Sequence, residues 1–237
     1  VNYHRAVASR FESGTFVALL PGIDRDALLA TGRPRHFGSG EHLMHQEAPG
    51  DPVLLLQSGH VKATFIEPQG KEIVLGFHGP GDILGELSFV HAEPRSSNVV
   101  ALEPGEAKAI SAADFRAFLG SRPAAALALF DAIGRRFRDA NRTQVQFGAS
   151  DTLGRIAARL VELCERHGHT TSSGIEIRLP LTQADLGAWT GASRASVAAA
   201  LSTMRKLNWI ETERKLVRVL DLKSLGLRAG LASDEHL

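Results

Sequence analysis

Two side chains of opposite charge, Glu86 and Arg95, stand in the run Gly81-Asp82-Ile83-Leu84-Gly85-Glu86-Leu87-Ser88, which is followed by Arg95-Ser96-Ser97. Their chemistry describes a ligand. The planar guanidinium of Arg95 matches two oxygens of a phosphate, and Ser96 adds a hydroxyl beside it. Glu86 repels phosphate but accepts from a sugar hydroxyl. Gly85 permits close backbone approach, and a short helix opening at Glu86 aims free N–H groups at an anion. Carboxylate and guanidinium together fit a molecule with a sugar at one end and a phosphate at the other. The same two residues could instead form an internal ion pair stitching a loop to a strand, and spacing alone leaves both readings open.

A second set of residues could read nucleic acid. Thr182-Gln183-Ala184-Asp185 has the T-x-x-D form of an acid-bearing capping box. Thr190-Gly191-Ala192 makes a tight turn, and Ser193 caps a further helix carrying Val197, Leu201 and Met204 inward. This is helix-turn-helix spacing, although a structural two-helix corner has the same apolar pattern. The outer surface adds Arg194 in the first turn, Ser196 after it, and Arg205 and Lys206 at the end. Arg194 can take guanine O6 and N7, Ser196 a base edge or phosphate, and the methyls of Ala195 and Ala199 can meet thymine. Thr182 and Gln183 are placed to hold phosphates, as are Arg214 and Lys215 beyond the helix. The rival reading of these charges is a solvated face.

The elements that must position these groups follow from pattern. Gly40, Gly50, Gly59, Gly70 and Gly81 recur 9 to 11 residues apart, the rhythm of short strands and turns. Between and after them lie strand candidates at Pro52 to Gln57, His60 to Ile66, Glu72 to Phe77, Asn98 to Leu102 and Ala107 to Ile110. A small β-sandwich or barrel would bury them. Ile23 to Thr31 reads as a helix with Asp24 or Asp26 as its cap. From Pro123 to about Gly148 a long helical pattern runs without internal proline. In it Phe130, Ile133, Phe137, Ala140, Gln144 and Phe147 follow a 3-4-3-4-3 spacing, the seam of a parallel helix pair with one amide setting register. A helix lying on its own β-domain would look the same. Helices return at Asp151 to His167, Thr182 to Thr190 and Ser193 to Leu207, with a polar separator from Gly168 to Gly174. Trp209 to Thr212 and Leu216 to Val219 form a hairpin. The expected division is 1–122, 123–150 and 151–237, with the tail from Arg228 to Leu237 flexible.

Composition bounds the function. At roughly 150 residues per domain, 237 residues make one or two domains. With 43% hydrophobic and 22% charged residues the chain can bury a sizeable core, which excludes disorder over most of its length. Lys+Arg 27 against Asp+Glu 26 leaves a net charge of +1, so any contact with nucleic acid is local. The single cysteine, Cys164, excludes an internal disulfide, an iron–sulfur cluster and a thiolate zinc site, and fits a reducing cytoplasm. No apolar run approaches the roughly 18 residues of a membrane span, and none has the form of a signal peptide. His42, His45 and Glu47 raise a cupin-type metal enzyme as a rival. That reading lacks a histidine shortly after Pro80-Gly81, so neither a catalytic residue nor a metal ligand is assigned.

The stretch from Gly85 to Ser97 resembles the phosphate-binding cassette of cyclic-nucleotide-binding domains, G-E-L-[SA] followed by R-[ST]-[AS], and Pro80-Gly81-Asp82 matches the turn before it. Leu153-Gly154-Arg155-Ile156-Ala157 and Gly191-Ala192-Ser193-Arg194 extend the likeness, so that residues 20 to 224 resemble the catabolite-activator (CRP/FNR) family of bacterial transcription regulators. The resemblance implies an α+β chain: a cyclic-nucleotide-binding β-roll, a long dimerisation helix and a winged helix-turn-helix. It implies that Arg95 and Ser96 hold the cyclic phosphate, that Glu86 takes the ribose hydroxyl, and that Gly85, Leu87, Ser88 and Ser97 complete the cassette. Asn141 on the long helix would read the base. The ligand implied is cyclic AMP, with cyclic GMP the alternative, and another ligand or none as a third reading. The partners implied are a second copy, a palindromic duplex and RNA polymerase. Two departures stand out. Ala140 replaces a hydroxyl before Asn141, and Ala195 and Ala199 replace a glutamate and an arginine of members that read TGTGA half-sites, which implies an altered operator.

Overall fold

The computed structural model describes residues 11–231 apart from 13 and 92. They fall into two compact units, one ending at Arg138 and the other beginning at Asp139.

The first unit opens with the short helix α1 (Phe16–Leu19) and α2 (Gly22–Ala30). The α2 N-cap is Pro21, with no side-chain cap; Asp24 lies inside the first turn rather than at the cap. Two four-stranded antiparallel sheets follow. One has the order β1 (Arg33–Phe37), β8 (Gly105–Ile110), β3 (Val53–Ser58), β6 (Ile83–Leu84); the other has β2 (His42–Met44), β7 (Asn98–Ala101), β4 (Val61–Ile66), β5 (Glu72–His78). Strand β3 explains why they roll together. Leu54 and Leu56 face a core with Phe37, Leu43, Met44, Val61, Leu84 and Val99, whereas Val53 and Leu55 face a second core with Phe16, Leu28, Ile83, Ile110, Phe115 and Leu129. A strand covered on both sides reads as an unbroken apolar run. Strands β1, β2 and β6 went unread because they are short or polar at their exposed positions. Helix α3 (Glu86–His91) leaves β6 directly. Helix α4 (Ala112–Ser121) is capped by the Ser111 hydroxyl, which accepts from Asp114 N at 3.1 Å.

The long helix α5 spans Pro123–Ala149. Ala125, Ala128, Leu129 and Ala132 are buried in the second core, and Ile133 packs against it. Ile133 is therefore turned toward its own β-roll, while Leu127, Phe130 and Phe137 are 70%, 77% and 66% exposed.

In the second unit, α6 (Thr152–His167) is followed by β9 (Gly168–Thr171) and β10 (Gly174–Ile177), a hairpin where the sequence suggested only a polar separator. Its polar residues occupy an edge: the sheet order is β11 (Ile210–Glu213), β12 (Leu216–Val219), β10, β9. Helices α7 (Gln183–Thr190) and α8 (Arg194–Lys206) lie between β10 and β11, and α9 (Leu222–Arg228) closes the described chain. Arg228 is fastened to the Asp151 carboxylate at 2.5 and 2.6 Å, so it is not part of a loose tail. Residues 232–237 of that expected tail lie outside the described residues. No helix among the described residues is long and apolar enough to cross a membrane.

Candidate functional site

Arg95 is buried, with 4% of its surface exposed. Its guanidinium gives one hydrogen bond to Gly85 O at 3.0 Å and another to Pro52 O. Among the described residues it makes no ion pair with a carboxylate. Burial pulls its pKa down against the opposing fields of Asp51 and Glu86. Gly85, at φ +81°, is what allows this approach, since a Cβ there would collide with Arg95 Nη1. A buried cation held by two carbonyl dipoles retains donors and charge for an anion.

Glu86 is also buried, and its partner is a residue that sequence reading missed. Arg136, on α5, donates from Nη1 to Glu86 Oε1 at 2.8 Å and from Nη2 to Asp82 Oδ1 at 3.1 Å and Ile83 O at 2.8 Å. Burial alone would lower the Arg136 pKa, but the Glu86 and Asp82 carboxylates raise it overall. The internal pair left open between Glu86 and Arg95 is thus not formed. The missing signal was present: Ala125, Leu129 and Ala132 mark the inward face of α5, and Arg136 continues it at helical spacing. A charge on an apolar face needs a partner.

The rest of the cassette is mixed in exposure. Leu87 and Ser96 are exposed, Gly85 and Ser97 half-buried, and Ser88 buried with its hydroxyl donating to Pro94 O at 3.2 Å. Asn141 is exposed on the part of α5 that belongs to the second unit. The rings of His42 and His45 stack 5.0 Å apart at the surface.

The second unit presents its candidate DNA surface on α8. Thr182 caps α7 reciprocally with Asp185: the Thr182 hydroxyl accepts from Asp185 N, and Asp185 Oδ2 accepts from Thr182 N, both at 3.0 Å. Gly191 then takes the left-handed conformation at φ 64°. Ser193 caps α8 by accepting from Ser196 N at 3.1 Å. Val197, Ala200, Leu201 and Met204 are buried, leaving Arg194, Ala195, Ala199, Thr203, Arg205 and Lys206 exposed. Arg205 donates to Thr212 Oγ1 of β11 at 3.0 Å, so it is partly committed inside the unit. Arg194 has no such tie among the described residues. Gln183, Arg214 and Lys215 are exposed as well, and Ser196 is half-buried.

A rolled β-domain holding a buried cation and a winged helix-turn-helix in one chain define a class: a regulator with a small-molecule-binding domain and a DNA-reading domain. Comparison with known proteins gives the family. Residues 34–122 match the cyclic nucleotide-binding domain, and residues 154–227 match the Crp-like helix-turn-helix domain. The chain is 29% identical over 214 residues to a CRP-like cAMP-activated global transcriptional regulator of Mycobacterium tuberculosis, covering 89% of this chain and 96% of that protein. It is 27% identical over 185 residues to the cAMP-activated global transcriptional regulator CRP of Salmonella typhimurium, covering 77% and 87%. Its fold matches FixK2 from Bradyrhizobium japonicum with a TM-score of 0.75 at 17% identity, covering 87% of this chain and 100% of that one. The chain belongs to the CRP/FNR family of transcription regulators, of the cyclic-nucleotide-binding type, and is a regulator rather than an enzyme.

Proposed function

We propose that this protein is a cyclic-AMP-responsive regulator that binds a palindromic operator as a homodimer. The observation that carries the ligand half of this reading is Arg95, a buried guanidinium bonded to Gly85 O and Pro52 O and, among the described residues, to no carboxylate. A cyclic phosphate supplies the anion, with the exposed Ser96 hydroxyl at its rim. Glu86 uses Oε1 for Arg136, and its other oxygen takes the ribose hydroxyl. Asn141 donates to and accepts from the adenine edge. What supports the dimer is the exposed row Leu127, Phe130 and Phe137 on α5, which a second copy would cover. Two α8 helices about 34 Å apart then enter successive major grooves, Arg194 reading guanine and Ser193, Ser196, Gln183 and Lys206 positioning the backbone. Moving such a switch from 1:99 to 99:1 takes about 5.5 kcal/mol of preference for one state.

Ala140 favours a second reading, in which another ligand replaces cyclic AMP, because it offers no hydroxyl beside Asn141. One experiment separates them: calorimetric titration of cyclic AMP and cyclic GMP into the wild type and Arg95→Ala, with DNA affinity measured at fixed salt. The expected result is cyclic AMP binding that enhances DNA affinity and weakens at least about tenfold in Arg95→Ala, as loss of a charged hydrogen bond requires. Equal binding by wild type and variant overturns the site; no binding of either nucleotide overturns the ligand class.

A further inference from the structure

Helix α6 carries a charge on its apolar face. Ile156, Ala157, Leu160 and Leu163 are buried there, and so is Arg159, at 4% exposure. Removing a guanidinium from water is unfavourable unless its donors find acceptors. Two helices supply three acceptors, and a third supplies an aromatic ring. Nη1 donates to Thr143 Oγ1 at 2.9 Å and to Glu162 Oε2 at 2.6 Å, Nη2 donates to Gln146 Oε1 at 2.6 Å, and the guanidinium carbon lies 5.0 Å from the centre of the Trp189 ring. The Thr143 hydroxyl gives its own proton to Asp139 O at 2.8 Å, which leaves its lone pairs to Arg159.

One turn earlier, Arg155 makes a second fastening. It donates from Nε to Thr190 O at 3.0 Å and from Nη1 to Ser150 O at 2.8 Å, and it lies 5.4 Å from the centre of the Phe147 ring. Phe147 in turn covers the helix-turn-helix turn: a Cβ on Gly191 would meet its Cε1 at 2.9 Å. Thr143, Gln146, Phe147 and Ser150 stand at i, i+3, i+4 and i+7, one face of a helix and its exit. That face is held by two arginines of α6 and by the end of α7.

We propose that Arg159 is a positioning residue that locks the last turns of the long helix into the DNA-reading unit, so that displacement of α5 reaches the recognition helix through this buried guanidinium. The break at Ser150-Asp151 is then no free hinge. Trp189 and Thr190 directly precede the Gly191 turn that aims α8, which gives the lock its outlet. This rests on the proposed nucleotide switch for what drives α5, but the lock itself does not.

The test uses the full-length protein with Thr143→Val and Gln146→Leu combined, which removes the acceptors on α5 and leaves α6 to α8 intact, and Arg159→Met in parallel. Hydrogen exchange is followed on amides 143–149 and on α8, with cyclic AMP affinity and DNA affinity with and without cyclic AMP. Expected are at least tenfold faster exchange over 143–149 with α8 still protected, cyclic AMP affinity within twofold of wild type, and DNA affinity altered at least fivefold. Unchanged exchange over 143–149 in the double variant overturns the lock, and unchanged DNA affinity overturns its positioning role. If Arg159→Met unfolds the unit, the double variant decides alone. Absence of nucleotide binding in the wild type sinks the proposed ligand, while the exchange and ligand-free DNA measurements still judge the lock.

Discussion

Arg136 and Glu86, fifty positions apart in the chain, are joined by a 2.8 Å hydrogen bond, and the same guanidinium holds Asp82. The α5 helix thereby supplies the counter-charge for the cassette glutamate, and among the described residues Arg95 is left with the carbonyls of Gly85 and Pro52. Arg136→Met strands the buried Glu86 carboxylate and takes one partner from Asp82, which keeps the Gly79 N–H. We expect a loss of about 3 kcal/mol in denaturant unfolding, the scale for breaking a buried pair. An unchanged midpoint would mean that the acids are satisfied without it.

Arg194 and Lys206, at opposite ends of α8, should fail differently. Arg194→Ala is expected to cost about 1 to 3 kcal/mol of discrimination at one guanine, whereas Lys206→Ala should weaken all sequences alike and reduce the salt dependence. Competition between selected and random duplexes at fixed salt reads the difference. Equal losses on both duplexes for Arg194→Ala would remove it from base reading.

The ring of His60 faces Glu103 through Nδ1 at 2.6 Å and Glu12 through Nε2 at 3.0 Å. Burial lowers its pKa, but the hydrogen bonds to the two carboxylates outweigh this and raise it above 6.5. The charged form is thus favoured in the folded chain. Its stabilisation is fully present below the unfolded value and is lost as pH rises through the raised folded value. Melting curves from about pH 5.5 to 8.5 should show wild-type stability falling relative to His60→Gln as pH rises. Parallel curves would contradict the assignment.

Cys164 is buried, and burial, with Glu165 adding to it, pushes its thiol up to about 12. Since the thiolate is the reactive species, iodoacetamide at about pH 8 should leave the folded protein unmodified and label it fully in denaturant. Rapid labelling of the native chain would show that α6 opens locally.

Much of this architecture was legible because local physics wrote it into short windows. The T-x-x-D box at Thr182, the cap at Ser193 and the strands β3, β4 and β5 depend on neighbours in sequence, and they stand where spacing put them. The β9–β10 hairpin was not legible, because its polar edge residues form strands only when β12 pairs with β10.

The sequence alone determined the residue types of the site, with Arg95, Glu86 and Arg194 at spacings that suit phosphate, sugar and base. It also determined that Ile133 and Phe137 share one helix, but not which of them meets the protein's own core. Only the tertiary structure decided that Glu86 pairs with Arg136 rather than Arg95, and that Arg159 gathers Thr143, Gln146 and Trp189. Caps and strand alternation are settled within a few residues. The partner of a buried charge is whichever opposite group the fold delivers, and sequence distance carries no record of it.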